Sequence, residues 1–337
     1  MPHAKVIAGV AMVLGAGAGL LRAGPLDPAR VPADTTWVMH ADLERAATTP
    51  LGQWGLEEIR KDLAGEPVFA ELGLSLGADL KDITLFGWDG EEEGEVVLAS
   101  MTGAADRVLA YISGRESYER LEHEIGVIHS WTDEADGERV QLFAADVAVG
   151  GDRLIYAGQS MDALLRAVRV LKDEGVKSRA DAPDARLPVD AADGAFLFFA
   201  ATEASPLREN GATSQIAKLA DVVTFSAGQQ EADGFAHLSV SARTEEEARN
   251  ISSVLMGLKA IALMAIDPND ADLAWLRDLA SAIQFESSGL NVVVTCRYDA
   301  ETIIRAVEAY EAEEAERASH VPGDEAPDSA DKEQTGG

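Results

Sequence analysis

The chain has 337 residues, of which 47% are apolar and 26% are charged, a balance typical of a globular protein with its own core. Its 59 acidic residues outnumber its 28 Lys and Arg residues, which gives a formal net charge of −31. Because such a surface repels phosphate groups, a nucleic acid is excluded as an expected partner. The one cysteine, Cys296, cannot form an internal disulfide, and its apolar, strand-like neighbours predict a small buried side chain.

The first 23 residues have the layout of a secretory signal peptide. Lys5 precedes an apolar run over residues 6–21, and small residues follow that run. We therefore expect residues 1–23 to be removed on export to the periplasm or the extracellular space, and residues 24–30 to form a linker. The alternative is an uncleaved N-terminal helix that anchors the protein, and this segment is the only expected contact with a membrane.

Two parts of the chain repeat the same order of apolar strands and helices. The stretch "ADTTWVMHADLE" aligns with "ADGAFLFFAATE" when Trp37 is placed over Phe196. Further on, "DITLF" aligns with "DVVTF" at an offset of 139 residues, and Leu164 falls on Ile303 at the same offset. Because these matches follow in order along the chain, we interpret them as an internal duplication.

The duplication predicts one α+β unit at residues 31–172 and a second at 195–311, joined by a linker at 173–194. Glycine-rich and acidic turns between neighbouring strands favour antiparallel hairpins, so each unit is expected to be a mainly antiparallel sheet with helices on one face. The two tandem copies should then be pseudo-symmetric, as one domain or as two. Residues 312–337 are acidic and predict a disordered tail.

Residues 251–266 predict a helix that is apolar on nearly all faces, with Lys259 as its single charge. We expect this helix to pack centrally between the two copies. The alternative is a docking face for a partner or an apolar ligand. The side chains that would make this contact are Met256, Leu258, Ile261 and Met264.

The sequence contains no motif that indicates a particular reaction. It has no phosphate-binding loop and no Gly-x-Ser-x-Gly turn, and Ser160 precedes a predicted helix as an N-cap. His40 and Asp42 share one face of a strand because they are two residues apart. We expect no catalytic residues, no bound cofactor and no metal ligands.

One metal site is a weaker alternative. His123 and His129 flank a short turn, with Glu122 and Glu124 beside them, so a zinc site could form there. A solvated hairpin explains the same residues and is the preferred interpretation.

The opening "VPADTTWVMHADLE" and the duplicated unit that ends in "ALLRAVRVL" resemble secreted or periplasmic bacterial proteins to which no activity is assigned. The resemblance implies the duplicated α+β fold but brings no site residues. We expect a non-catalytic exported protein that binds a protein or an envelope component. The alternatives are a hydrolase whose site is not visible in the sequence and a carrier of an apolar ligand.

Overall fold

The structure, a computed structural model, describes most of the chain from Leu26 onward. The predicted signal peptide at 1–23 and the end of the predicted tail lie outside the described residues. The described ranges are 26–63, 71–88, 94–135, 138–149, 151–172, 175–182, 186–202, 218–266 and 274–319.

The described residues form twelve strands and several helices. The strands are β1 (Trp37–Asp42), β2 (Leu80–Gly87), β3 (Val96–Met101), β4 (Glu119–His123), β5 (Gly126–Ala135), β6 (Glu138–Val149), β7 (Asp152–Gly158), β8 (Ala195–Thr202), β9 (Ala220–Gln230), β10 (Asp233–Ala242), β11 (Gln284–Ser288) and β12 (Asn291–Asp299). The helices are α1 (Leu43–Ala46), α2 (Pro50–Leu63), α3 (Ala105–Ser113), α4 (Met161–Leu171), α5 (Glu245–Ala265), α6 (Ala274–Ala282) and α7 (Ala300–Ser319), and a 3-10 turn spans Pro28–Arg30.

All twelve strands belong to one sheet, in the order β11-β12-β10-β9-β8-β1-β2-β3-β7-β6-β5-β4. Every neighbouring pair is antiparallel, which confirms the α+β class with an antiparallel sheet. From the central pair β1 and β8, the order of the next four strands outward is equivalent in the two directions, and the first half then adds β5 and β4, which have no counterparts in the second half. The predicted copies therefore lie side by side in a single continuous sheet.

The pairing register relates the two halves residue by residue. One row of paired residues runs from His40 through Thr84 and Leu98 to Tyr156. A second row runs, in order, through Phe198, Ser226, His237 and Thr295. Leu98 and Tyr156 of the first row correspond to His237 and Thr295 of the second row, and each pair is separated by the 139 residues that the sequence predicts. His40 and Phe198 pair with each other, so the two rows join at a local two-fold axis.

The register corrects the predicted alignment of β1 with β8. The counterpart of His40 is Phe198, so Trp37 corresponds to Ala195 and not to Phe196. Directly paired residues of a sheet lie on one face, and a shift of one residue moves a side chain to the other face. Trp37 pairs with Ala201 and shares its face of the sheet. Phe196 lies two residues from Phe198 and shares that residue's face, which is opposite to the face of Ala201. Trp37 and Phe196 therefore lie on opposite faces.

Helices cover the two halves differently. In the first half, α4 packs on one face around Leu164 and Tyr156, and α2 and α3 pack on the other face around Ile83. In the second half, the apolar residues Val223, Val240 and Val292 face α5. The expectation of helices on one face is therefore wrong for the first half, where both faces of the strands carry apolar residues.

The segments predicted as linkers are packed in their described parts. Leu26 and Leu187 are buried in the core of the first half. The Ala33 N–H donates to the Lys177 carbonyl, and the Arg179 N–H donates to the Val31 carbonyl. These segments therefore hold the N-terminal turn against the sheet instead of separating two domains.

Helix α7 continues through Ser319, so the chain is helical for eight residues beyond residue 311, where the tail was expected to begin. This helix packs against α2 of the first half. The contact joins the two halves a second time.

Candidate functional site

Helix α5 begins with a strong N-cap and a core contact. The Thr244 hydroxyl accepts the Glu247 N–H at 3.2 Å, and the first turn carries three glutamates, which suit the positive end of a helix. Ala248 and Ile251 are fully buried against the sheet. The first two turns are therefore fixed to the fold.

The second part of α5, residues 254–265, is exposed. Ile261 is 65% exposed and Met264 is 85% exposed. The expectation that this helix packs centrally is therefore wrong. The two halves lie side by side in one sheet, so no interface between stacked copies exists to bury it. The other exposed apolar side chains of this helix are Val254, Met256 and Leu258.

Lys259 is the only charged residue of 254–265, and it points away from the exposed apolar face. Its Nζ atom donates to the Ile283 carbonyl at 2.5 Å and to the Ser281 carbonyl at 3.3 Å. Its charge is therefore directed at the end of α6. All four side chains that the sequence singled out, Met256, Leu258, Ile261 and Met264, lie on this exposed part of the helix.

Helix α5 has 21 residues and is, by length and composition, the one helix of the described ranges that could span a membrane. Only 17% of its most apolar window is buried. The exposed part is about 18 Å long at 1.5 Å per residue, whereas a hydrocarbon core is about 30 Å thick. A span would therefore require Ala248 and Ile251 to leave the core of the second half.

A second candidate site is a cavity of about 300 Å³ at the local two-fold axis. Strands β1 and β8 form its floor, and the segment 191–193 forms one wall. Its described lining includes Leu26, His40, Asp42, Arg45, Phe196 and Phe198.

His40, in this lining, is buried with 5% of its surface exposed, and only one of its two ring nitrogens has a hydrogen-bond partner. Its Nδ1 atom lies 2.9 Å from the Thr84 hydroxyl, and its Nε2 atom is buried without a partner. Burial lowers the pKa of the imidazole, and the charge of Asp82 opposes this shift only in part. His40 is therefore neutral at neutral pH.

Arg45 enters the cavity from α1, three residues after the end of β1. The Asp42 carboxylate caps this helix by accepting the Arg45 backbone N–H at 2.7 Å. The Nε atom of the Arg45 side chain is buried and also has no partner. Two buried nitrogen atoms that need partners thus belong to side chains of one cavity. The spacing of His40 and Asp42 indicated a shared face, but Arg45 carried no sequence signal.

The remaining residues that the sequence singled out are explained by local structure. His129 Nδ1 lies 2.9 Å from the Tyr118 hydroxyl, and His123 Nδ1 accepts the Ile125 N–H at 3.3 Å. The Ser160 hydroxyl caps α4 by accepting the Ala163 N–H. No group of three or more His, Cys, Asp or Glu side chains that could hold a metal ion occurs within the described ranges.

Cys296 is half-buried and not fully buried as expected. Burial raises the pKa of its thiol, so the thiol is protonated at neutral pH. His237 pairs with Thr295, the neighbour of Cys296, so the imidazole and the thiol lie on opposite faces of the sheet. The two do not form a nucleophile and base pair.

No family model matches the chain, and no curated protein matches it. The resemblance to secreted bacterial proteins therefore stays a prediction. Solved structures with a similar arrangement include two crystal forms of TP0453. Form III is 7% identical and covers 86% of this chain and 100% of its own, with a TM-score of 0.45. Form I is 7% identical and covers 86% and 99%, with a TM-score of 0.40.

Proposed function

We propose that this is a non-catalytic exported binding protein that docks a partner protein through residues 254–265 of α5. The exposure of Met264 and Ile261 on an uncharged helix face carries the proposal. Exposed apolar patches of this kind mark interaction sites in soluble proteins. Methionine side chains adapt to different partner surfaces, which suits Met256 and Met264 to the role.

Charge favours a protein over a lipid surface as the occupant. Helices that lie on membranes carry mostly Lys or Arg on the polar face, whereas the start of α5 exposes Glu245 and Glu246 and one arginine, Arg249, which pairs with Glu245. The complementary partner is an amphipathic helix with an apolar stripe, flanked by basic residues that meet these glutamates.

Catalysis is a weaker candidate for the cavity at the two-fold axis. Among the described residues, the hydroxyl that contacts His40 belongs to Thr84, which is 2% exposed. A nucleophile must reach its substrate. Binding therefore explains this cavity better than hydrolysis.

Crosslinking tests the docking proposal. We expect a photoreactive residue at position 261 to crosslink to one protein in the host, whereas the same residue at Glu301, exposed on α7, should not. The product should disappear when Met264→Asp is added, and its partner segment should be an apolar helix with basic flanks. Equal crosslinking from both positions, or binding of the purified protein to phosphatidylcholine vesicles in place of a protein, would contradict the proposal.

Export gives a separate prediction. If residues 1–23 are a signal peptide, N-terminal sequencing of the protein from its host should begin near Gly19 or Gly24. An intact Met1 on protein from a cytoplasmic fraction would refute it.

A further inference from the structure

The second half of the sheet has one face that the described helices do not cover. In the first half, α4 packs over the corresponding face, where Leu98 and Tyr156 are buried. The counterpart of α4 is α7, and a Cβ atom at Gly234 would lie 3.1 Å from Ile303 Cδ1 of α7. Gly234 directly precedes Phe235, and successive strand residues point to opposite faces. Helix α7 therefore lies on the face that also carries α5 and α6, opposite to Phe235.

The face that carries Phe235, here called the open face, has a different composition from its counterpart in the first half. The first-half residues, all buried, are Val96, Leu98, Tyr156 and Gly158. Their counterparts 139 residues later, none of them buried, are Phe235, His237, Thr295 and Arg297. Three of these four counterparts are polar, as suits a sheet face that meets solvent.

A cavity of about 560 Å³ lies on the open face, within the usual range for small-molecule sites. The segment before β8 forms one wall, and the Ala192 N–H donates to the Ser226 hydroxyl at 3.3 Å, which holds this wall against β9. The lining residues whose side chains stand on the open face are Gln230, Phe235, His237, Gln284, Thr295 and Arg297.

The polar groups of this cavity are largely available to a ligand. Arg297 Nη2 donates to the Gln230 side-chain oxygen at 2.9 Å, which leaves the Gln230 amide nitrogen free to donate. The side chains that make no hydrogen bond to other described residues are those of His237, Gln284 and Thr295. Asp193 adds an exposed carboxylate on the wall. The lining thus mixes donors with acceptors and carries one charge of each sign.

This mixture favours a neutral ligand with several hydroxyl groups. An anion would be repelled by Asp193 and a cation by Arg297, so neither charge is selected. A hydroxyl group both donates and accepts, which suits a lining of amides, an imidazole and a hydroxyl. The Phe235 ring is half-buried and offers a flat apolar surface to one side of a ligand ring.

An extended peptide suits this site less well than a sugar does. Peptides that bind to sheets add to an edge strand, where backbone N–H and C=O groups are free. The cavity lies over β10, which pairs with β9 on one side and with β12 on the other. Its backbone groups are therefore used within the sheet, and recognition depends on side chains.

We propose that the cavity on the open face binds a neutral mono- or disaccharide. One sugar ring packs its C–H side on Phe235, and its hydroxyl groups form hydrogen bonds with Arg297, Thr295 and Gln284. The site is on the opposite face of the sheet from residues 254–265 of α5. It is therefore separate from the docking of a partner protein, and either proposal can fail without the other.

Titration of the isotope-labelled full chain with glucose, N-acetylglucosamine, maltose and cellobiose, followed by NMR, tests the site. We expect saturable shifts with at least one of these sugars. Sorbitol has similar hydroxyl groups but no ring to pack on Phe235, so it should bind at least about tenfold more weakly. Either order of affinity among the sugars supports the proposal: N-acetylglucosamine ahead of glucose identifies an envelope glycan as the source, and the reverse identifies a free sugar.

Arg297→Ala should weaken binding of the sugar by about fivefold, as for the loss of one hydrogen bond. Arg243→Ala is the matched control, because Arg243 is also exposed, directly after β10, and does not line the cavity. Phe235→Leu removes the flat ring and should weaken binding as well; if it lowers the melting temperature too far for titration, Arg297→Ala decides alone. Failure of all four sugars to bind, equal affinity for sorbitol, or equal affinity of Arg297→Ala and Arg243→Ala would overturn the proposal.

Discussion

Replacing Ile251 with Asp should destabilise the protein by at least about 4 kcal/mol, or prevent folding altogether. Ile251 is fully buried in α5 and packs with Val240 and Val292 of the sheet. The substitution both removes apolar contacts and places a carboxylate where no described cation lies in the cluster. Urea unfolding followed by circular dichroism measures the loss.

Ile261 provides the matched control, since it is the same residue type, ten positions further along the same helix. It is 65% exposed, so Ile261→Asp should change the free energy of unfolding by no more than about 1 kcal/mol, mainly through helix propensity and the helix dipole. If Ile261→Asp unfolds the protein as Ile251→Asp does, residues 254–265 are part of the core. The docking proposal would then fail with them.

The contrast between Ile251 and Ile261 divides α5 into a buried first part and an exposed second part. The sequence alone could not place the division, because "ISSVLMGLKAIALMAI" is apolar on nearly all faces along its length. An apolar helix is buried only where the fold provides a surface to cover it. The side-by-side arrangement of the two halves provides such a surface for Ile251 but leaves Met264 exposed.

The antiparallel α+β fold was predictable because hairpin turns have local signals. The register of β1 against β8 was not, since both strands carry apolar residues on both faces, so the apolar pattern does not fix their alignment to the residue. A further irregularity between Ala195 and Leu197 interrupts the pairing of β8 with β9 at the point where the alignment was anchored.

The cavity at the two-fold axis was predictable only in part. The spacing of His40 and Asp42 places both on one strand face. Leu26 and Phe196 reach the same cavity from segments that are about 170 residues apart, so only the tertiary fold brings them together. Arg45 is recognisable only after the structure shows that its Nε atom is buried without a partner.

Gly228 lies in β9 and allows the segment that forms one wall of this cavity to pack closely against that strand. A Cβ atom at this position would collide with the carbonyl oxygen of Gly194 and lie 2.8 Å from the Cα atom of Ala195. Both contacts are backbone atoms, which cannot rotate away, so only a shift of the chain could relieve the overlap. Residues 191–193, which line the cavity, directly precede this contact.

We therefore expect Gly228→Ala to destabilise the protein by about 2 kcal/mol or more, because segment 191–195 must move away from β9. Gly103→Ala is the control, because a Cβ atom there would meet nothing within 4 Å, and it should change stability by no more than about 0.5 kcal/mol. Urea unfolding of the two variants measures the difference in stability. Unfolding of Gly228→Ala at the same urea concentration as Gly103→Ala would show that the start of β8 is not pressed against β9.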